Sequence, residues 1–194
     1  MDRALLMIDM QNGFLNQASP CYIAGARATV PACAEAIRQC RAAGIPVFFV
    51  TRRYRTDGSD VEKTRYQTWA AGGKPLSPGC DAELSEEMPT EFSVSKEDFQ
   101  IIKPRFSAFF QTPLDLILRR LGIKTVLLAG TTTPNCIRTT CYDALSLDYD
   151  VVVLSDCTSS ATPEIQESNL RDMANIGAVV MTSEAYFLGE NPIP

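Results

Sequence analysis

Seven cysteines and no histidine stand among the 194 residues, so the usual base near neutral pH is absent and proton transfer must use another group. The cysteine best placed for chemistry is Cys136. It closes the run Leu127-Leu128-Ala129-Gly130-Thr131-Thr132-Thr133-Pro134-Asn135-Cys136, in which an apolar strand passes through a sharp turn into a helix. Two further residues hold equivalent positions: Asp9 follows the apolar run Ala4 to Ile8, and Lys103 follows Phe99 to Ile102. In parallel α/β sheets, loops and helix N-termini converge outside the carboxyl ends of the strands. Neighbouring strands lie only about 4.8 Å apart, so an acid, a cation and a thiol from these ends can meet in one crevice.

Each has a role there. The thiolate is the nucleophile and is scarce at neutral pH when the thiol pKa is about 8.5. Lys103 and the N-terminus of a helix from Asn135 to Leu147 are expected to favour it. A fall of about two pKa units would raise the thiolate from roughly 3% to roughly three quarters at pH 7. Asp9 is the candidate acceptor of the thiol proton, and the backbone N–H groups of Thr132 and Cys136 are candidates for an oxyanion hole. Singly, a strand-end Asp reads as a turn residue, a Lys as a solvated charge and a Cys before an apolar helix as packing. The coincidence of all three at equivalent strand ends favours chemistry.

The elements that must hold these residues read as alternating βα units around a parallel sheet. Five strands are predicted: Ala4 to Ile8, Val47 to Thr51, Thr125 to Ala129, Val151 to Leu154 and Ala178 to Thr182. Phe99 to Ile102 is a sixth candidate. Runs such as Val126-Leu127-Leu128 imply burial on both faces. A helix over Val30 to Ala43 ends at Gly44; others start at Thr112-Pro113 and Thr162-Pro163 and stop at Gly122 and Gly177. The least regular region is Arg52 to Glu97, with Val61 to Ala71 as its one clear helix. Flanked by apolar strands, it reads as a lid or subunit contact. Phe109 and Phe110 read as core.

Composition narrows the classes. With 45% hydrophobic residues the chain can bury one good core, and residues 1–194 are expected to form a single domain. A net charge of -5 argues against nucleic acid or a polybasic membrane anchor as partner. The N-terminal residues, without a long hydrophobic stretch or small-residue cleavage site, read as those of a cytoplasmic protein. The cysteines are odd in number and never form Cys-x-x-Cys, which fits reduced thiols rather than disulfides or zinc ligation.

Three segments resemble the isochorismatase-like cysteine hydrolases, the superfamily of nicotinamidases, N-carbamoylsarcosine amidases and ureidoacrylate amidohydrolases. They are Leu6-Met7-Ile8-Asp9-Met10-Gln11-Asn12-Gly13-Phe14, Ile102-Lys103-Pro104-Arg105-Phe106-Ser107-Ala108-Phe109, and Gly130-Thr131-Thr132-Thr133-Pro134-Asn135-Cys136-Ile137-Arg138-Thr139-Thr140. The resemblance implies a three-layer α/β/α fold with a six-stranded parallel sheet, an Asp9-Lys103-Cys136 triad and an oxyanion hole at Thr132 and Cys136. It also implies a cis peptide between Thr131 and Thr132 and assembly into homodimers or tetramers. Gly13 stands where many relatives carry an acid. The Asp and His metal site of nicotinamidases cannot be built without histidine, so no metal and no cofactor are expected.

The implied reaction is hydrolysis of a C–N bond in a small amide or ureide through a thioester on Cys136. The alternatives are cleavage of a vinyl ether, as by isochorismatase, and a non-catalytic binding or scaffold module on the same fold. Candidate substrate-binding residues are Phe14, Arg53, Trp69 and Phe106. Arg52, Arg53 and Arg55 could each bind a carboxylate or ureido oxygen, and Tyr66 and Gln67 could join Trp69 in the pocket wall.

Overall fold

The computed structural model describes residues 2–189; Met1 and residues 190–194, which the single-domain expectation includes, lie outside them. Six strands form one sheet: β1 (Arg3–Ile8), β2 (Val47–Arg52), β3 (Phe99–Lys103), β4 (Thr125–Thr131), β5 (Asp150–Ser159) and β6 (Val179–Met181). All pairings are parallel, in the order β3-β2-β1-β4-β5-β6. This is the expected fold class. The change of direction on either side of β1 opens a crevice at its carboxyl end, between the loops that leave β1 and β4.

Strand parity divides the core in two. Leu6, Ile8, Phe48, Val50, Ile101, Val126 and Leu128 face one side. There they pack on α4 (Leu114–Arg120), α5 (Arg138–Ser146) and α6 (Pro163–Asn175). Leu5, Met7, Phe49, Leu127 and Ala129 face the other, against α2 (Val30–Ala42) and α7 (Ser183–Phe187). With both faces covered, each large apolar side chain contributes about 1.5–3 kcal/mol by leaving water. The expected helix stops are present: Gly44 and Gly122 adopt φ of 67° and 71°. The Thr162 hydroxyl caps α6 by accepting from the Ile165 N–H at 3.4 Å.

Two predicted helices differ. The element expected from Asn135 begins instead as a wide turn over Thr133–Ile137, in which the Ile137 N–H reaches the Thr132 carbonyl at 3.3 Å, and α5 starts only at Arg138. The helix expected over Val61 to Ala71 is confined to α3 (Tyr66–Ala71). Its first residues are pulled out of helical geometry by burial: Val61 joins a small cluster with Phe14, Tyr54, Trp69 and Leu76, and Glu62 turns inward to an arginine. The Arg52 to Glu97 region is thus packed against this chain. Its returning strand of loop bonds to α1 (Asn12–Leu15), the Asn12 and Gly13 N–H groups reaching Glu87 and Ser85 carbonyls at 2.7 and 3.0 Å. Phe109 stacks on Tyr149, whereas Phe110 is exposed, contrary to its reading as core.

Candidate active site

β1 delivers Asp9 by an unusual backbone. Its φ is 53°, a left-handed conformation uncommon for a residue other than glycine, held by an N–H bond to the Val50 carbonyl at 2.9 Å. Gly130 lies beside it on β4 with φ 113°, and a Cβ there would stand 2.0 Å from the Ile8 carbonyl oxygen. Only glycine allows β4 this close approach to the exit of β1. The Thr131–Thr132 peptide is cis. The Thr132 and Thr133 hydroxyls donate to the Ser159 carbonyl at 3.2 and 3.0 Å, tying the turn that carries Cys136 to β5.

The three strand-end residues meet. Lys103 Nζ donates to Asp9 Oδ2 at 2.7 Å, to the Arg105 carbonyl at 3.1 Å and to Cys136 Sγ at 3.5 Å. An ammonium has three N–H donors, and all three are used. Asp9 and Lys103 are fully buried, and Cys136 is 5% exposed. Asp9 Oδ1 is buried and accepts no hydrogen bond among the described residues. The sulfur forms part of the wall of a cavity of about 330 Å³, with Thr132, Asn135, Phe14, Phe106 and Trp69 around it.

Electrostatics correct the expectation of a low thiol pKa. Burial raises the Cys136 pKa, the negative charge of Asp9 raises it further, and Lys103 and Arg52 oppose the change without overcoming it; the thiol is pushed up to about 11. The resting group is a thiol.

Substrate-side candidates divide. Phe14, Trp69 and Phe106 line the cavity. Arg53 does not: it is exposed and paired with Glu86 outside the cavity. Arg55 likewise pairs with Asp57 on the surface. Tyr66 and Gln67 are exposed, and the Tyr66 ring packs against Trp69 at a 41° tilt with ring centroids 5.9 Å apart. Of Arg52, Arg53 and Arg55, the one in the wall is Arg52, 1% exposed. It is paired with Glu62 and bonded to the Tyr54 hydroxyl at 2.7 Å. The parity of β2 accounts for the exchange, because Phe48, Val50 and Arg52 share the face that looks toward Cys136 while Arg53 turns away.

Sequence reasoning also missed Gln11, Tyr54, Glu62 and Arg65. Gln11 is fully buried, accepts from the Arg52 N–H at 2.7 Å and donates to the Arg52 carbonyl at 2.9 Å, locking the end of β2 to the exit of β1. Gly13 has a plain reason to lack a side chain. A Cβ there would stand 2.6 Å from Leu76 Cδ2 and 2.9 Å from the Leu84 carbonyl, so this chain has no room for an acid at that position. No group of three or more Cys, Asp or Glu side chains among the described residues is placed to hold a metal ion. No helix among them is long and apolar enough to cross a membrane, and the cysteines are free thiols.

Fold and site together define a three-layer α/β/α protein with a cysteine-centred pocket over the strand ends. Residues 3–185 match the isochorismatase domain, and the chain belongs to that family of hydrolases. It is similar to an Arabidopsis thaliana protein named "Probable inactive nicotinamidase", with 38% identity over 92% of this chain and 91% of that one. It is also similar to the ureidoacrylate amidohydrolase of Pantoea ananatis, 33% identical over 84% of this chain and 72% of the other. Among solved structures, an isochorismatase family protein from Desulfovibrio vulgaris superposes with a TM-score of 0.89 and 40% identity, covering 95% of this chain and 96% of its own.

Proposed function

We propose that the protein hydrolyses a C–N bond of a small amide or ureide through a thioester on Cys136. The observation that carries this reading is the bridge from Asp9 through Lys103 Nζ to Cys136 Sγ, at 2.7 and 3.5 Å, in the wall of a cavity. The similarity to a ureidoacrylate amidohydrolase supports the bond type.

With the thiol pKa near 11, attack and deprotonation are coupled. As Sγ bonds to the substrate carbonyl carbon, the thiol proton passes to Asp9, whose Oδ1 is otherwise unpartnered. The oxyanion is held by the N–H groups of Thr132 and Cys136. Collapse of the tetrahedral species breaks the C–N bond, and Asp9 returns the proton to the leaving nitrogen. Water then attacks the thioester, giving up one proton to Asp9 and releasing the acid and the thiol. Lys103 keeps Asp9 oriented through the 2.7 Å bond from its Nζ. Assembly into a homodimer or tetramer is proposed with it.

Replacing Cys136 by Ala or Ser is expected to abolish ammonia or amine release with the circular dichroism spectrum unchanged. Intact-mass spectrometry of quenched wild-type reactions should show the acyl adduct on the peptide holding Cys136. Full activity in the Ala variant would eliminate the mechanism. Pyruvate released from isochorismate, with no nitrogen released from amides or ureides, would assign vinyl ether cleavage instead.

A further inference from the structure

A substrate amide brings N–H groups of its own into the cavity, and the wall must answer them. Several polar side chains there are already engaged. The Thr132 hydroxyl donates to the Ser159 carbonyl at 3.2 Å, and the Tyr54 hydroxyl bonds to Arg52 and Glu62 at 2.7 and 2.8 Å. Thr64, Arg65 and Thr68 line the cavity but are exposed. Asn135 differs from all of these. It lines the cavity directly before Cys136 in the wide turn. Its backbone is committed, the N–H to the Thr132 carbonyl at 3.1 Å and the carbonyl to the Thr139 hydroxyl at 2.7 Å. Its carboxamide has no hydrogen-bond partner among the described residues, and it is not sealed. The buried side-chain atoms without partners are those of Asp9, Arg52, Ser160 and Gln166, so both amide atoms of the half-buried Asn135 meet solvent.

An N–H that leaves water and finds no acceptor weakens binding, and Phe14, Trp69 and Phe106 in this wall offer none. The oxyanion hole takes the carbonyl oxygen and cannot answer the nitrogen, because its two backbone groups are donors. A carboxamide supplies both a donor and an acceptor. We infer that Asn135 is a specificity-determining residue: its Oδ1 accepts an N–H of the scissile amide or ureide nitrogen. The site therefore prefers an amide over a carbonyl compound of the same shape that lacks this hydrogen. A nitrogen held in this way is also fixed in orientation before Asp9 returns its proton. The inference rests on the amide or ureide reading above and adds the residue that recognises the bond.

The test alkylates Cys136 of the full-length protein with chloroacetamide and with chloroacetone, in which a methyl group replaces the amide nitrogen. Each rate is read by mass spectrometry of the peptide holding Cys136 and divided by the rate with N-acetylcysteine, which removes the intrinsic reactivity of the reagents. Any change in thiol pKa affects both reagents alike and cancels in their ratio. In the wild type the corrected ratio should favour the amide by about fivefold or more. In Asn135→Ala, with its circular dichroism unchanged, it should fall to within about twofold of the free thiol. Asn135→Asp, which keeps an acceptor oxygen, should retain at least half of the preference. A wild-type ratio equal to that of N-acetylcysteine, an Asn135→Ala ratio equal to the wild type, an Asn135→Asp ratio as low as that of Asn135→Ala, or no label on Cys136 from either reagent overturns the inference. Labelling needs no turnover, so its failure counts against Asn135 alone. Selective labelling of a protein that releases no nitrogen from amides or ureides leaves Asn135 standing and removes the hydrolytic reading instead.

Discussion

Asp9 acts on the Cys136 thiol in two opposing ways. As a charge it holds the proton on sulfur, and as a base it is the group that removes it during attack. Asp9→Asn separates them. Loss of the negative charge lowers the thiol pKa, so more thiolate is present at any given pH and alkylation by iodoacetamide at pH 8 should accelerate several-fold. Amide hydrolysis should fall by about 10²–10⁴, the usual contribution of a positioned acid-base group. A variant that lost alkylation and hydrolysis in parallel would contradict the assignment. In the wild type, with the thiol near 11, the alkylation rate should climb about tenfold per pH unit from 7 to 10 without a plateau. The triad itself could be placed from sequence because each member follows a β-rich run, and strand ends in a parallel sheet converge. The pKa could not, because it depends first on how deeply the sulfur is buried and then on its distances from Asp9 and Lys103, a matter of ångströms. Strand parity distinguishes Arg52 from Arg53 once β2 is extended to Arg52; Glu62 and Arg65 had no such signal, being placed by the cluster around Trp69.

At the scale of elements, the close contact of β1 and β4 is the most sensitive joint. Gly130→Ala would drive a methyl group into the Ile8 carbonyl and impose a positive φ on alanine. The expected cost is about 3 kcal/mol or more, read as a lower midpoint of urea unfolding, and activity should fall with it because Asp9 lies one residue beyond the contact. Gly13→Asp, which would place an acid there, should destabilise by about 1–3 kcal/mol through overpacking against Leu76, with no gain in rate. The strands and most helices were readable because apolar runs and Gly or Pro stops coincide. The wide turn before α5 was not, since a five-residue hydrogen bond leaves no periodic signature, and neither was the short α3, whose first turn gives way to burial of Val61.

Across the whole molecule, two apolar layers share one sheet, and neither can lose its strands without exposing the other. We therefore expect a single cooperative unfolding transition, with calorimetric and van't Hoff enthalpies equal. Two separated transitions would divide the chain against the single-domain expectation.

The last register pair of the sheet's edge is Arg52 opposite Lys103, two like charges on adjacent strands. They coexist because acids from elsewhere, Glu62 and Asp9, discharge them one apiece. The margin of the sheet is therefore fastened by carboxylates, and acid should unfasten it. Burial pushes the Glu62 carboxyl up, but the charge of Arg52, together with hydrogen bonds from backbone N–H, Tyr54 and Arg52, outweighs burial and the net shift is downward. Its contribution is thus complete above the unfolded value of about 4.3 and drains away as pH falls through the lower folded value. On acidification, Trp69 fluorescence, which reports on the wall beside Glu62, should change before the far-ultraviolet dichroism of the helices does.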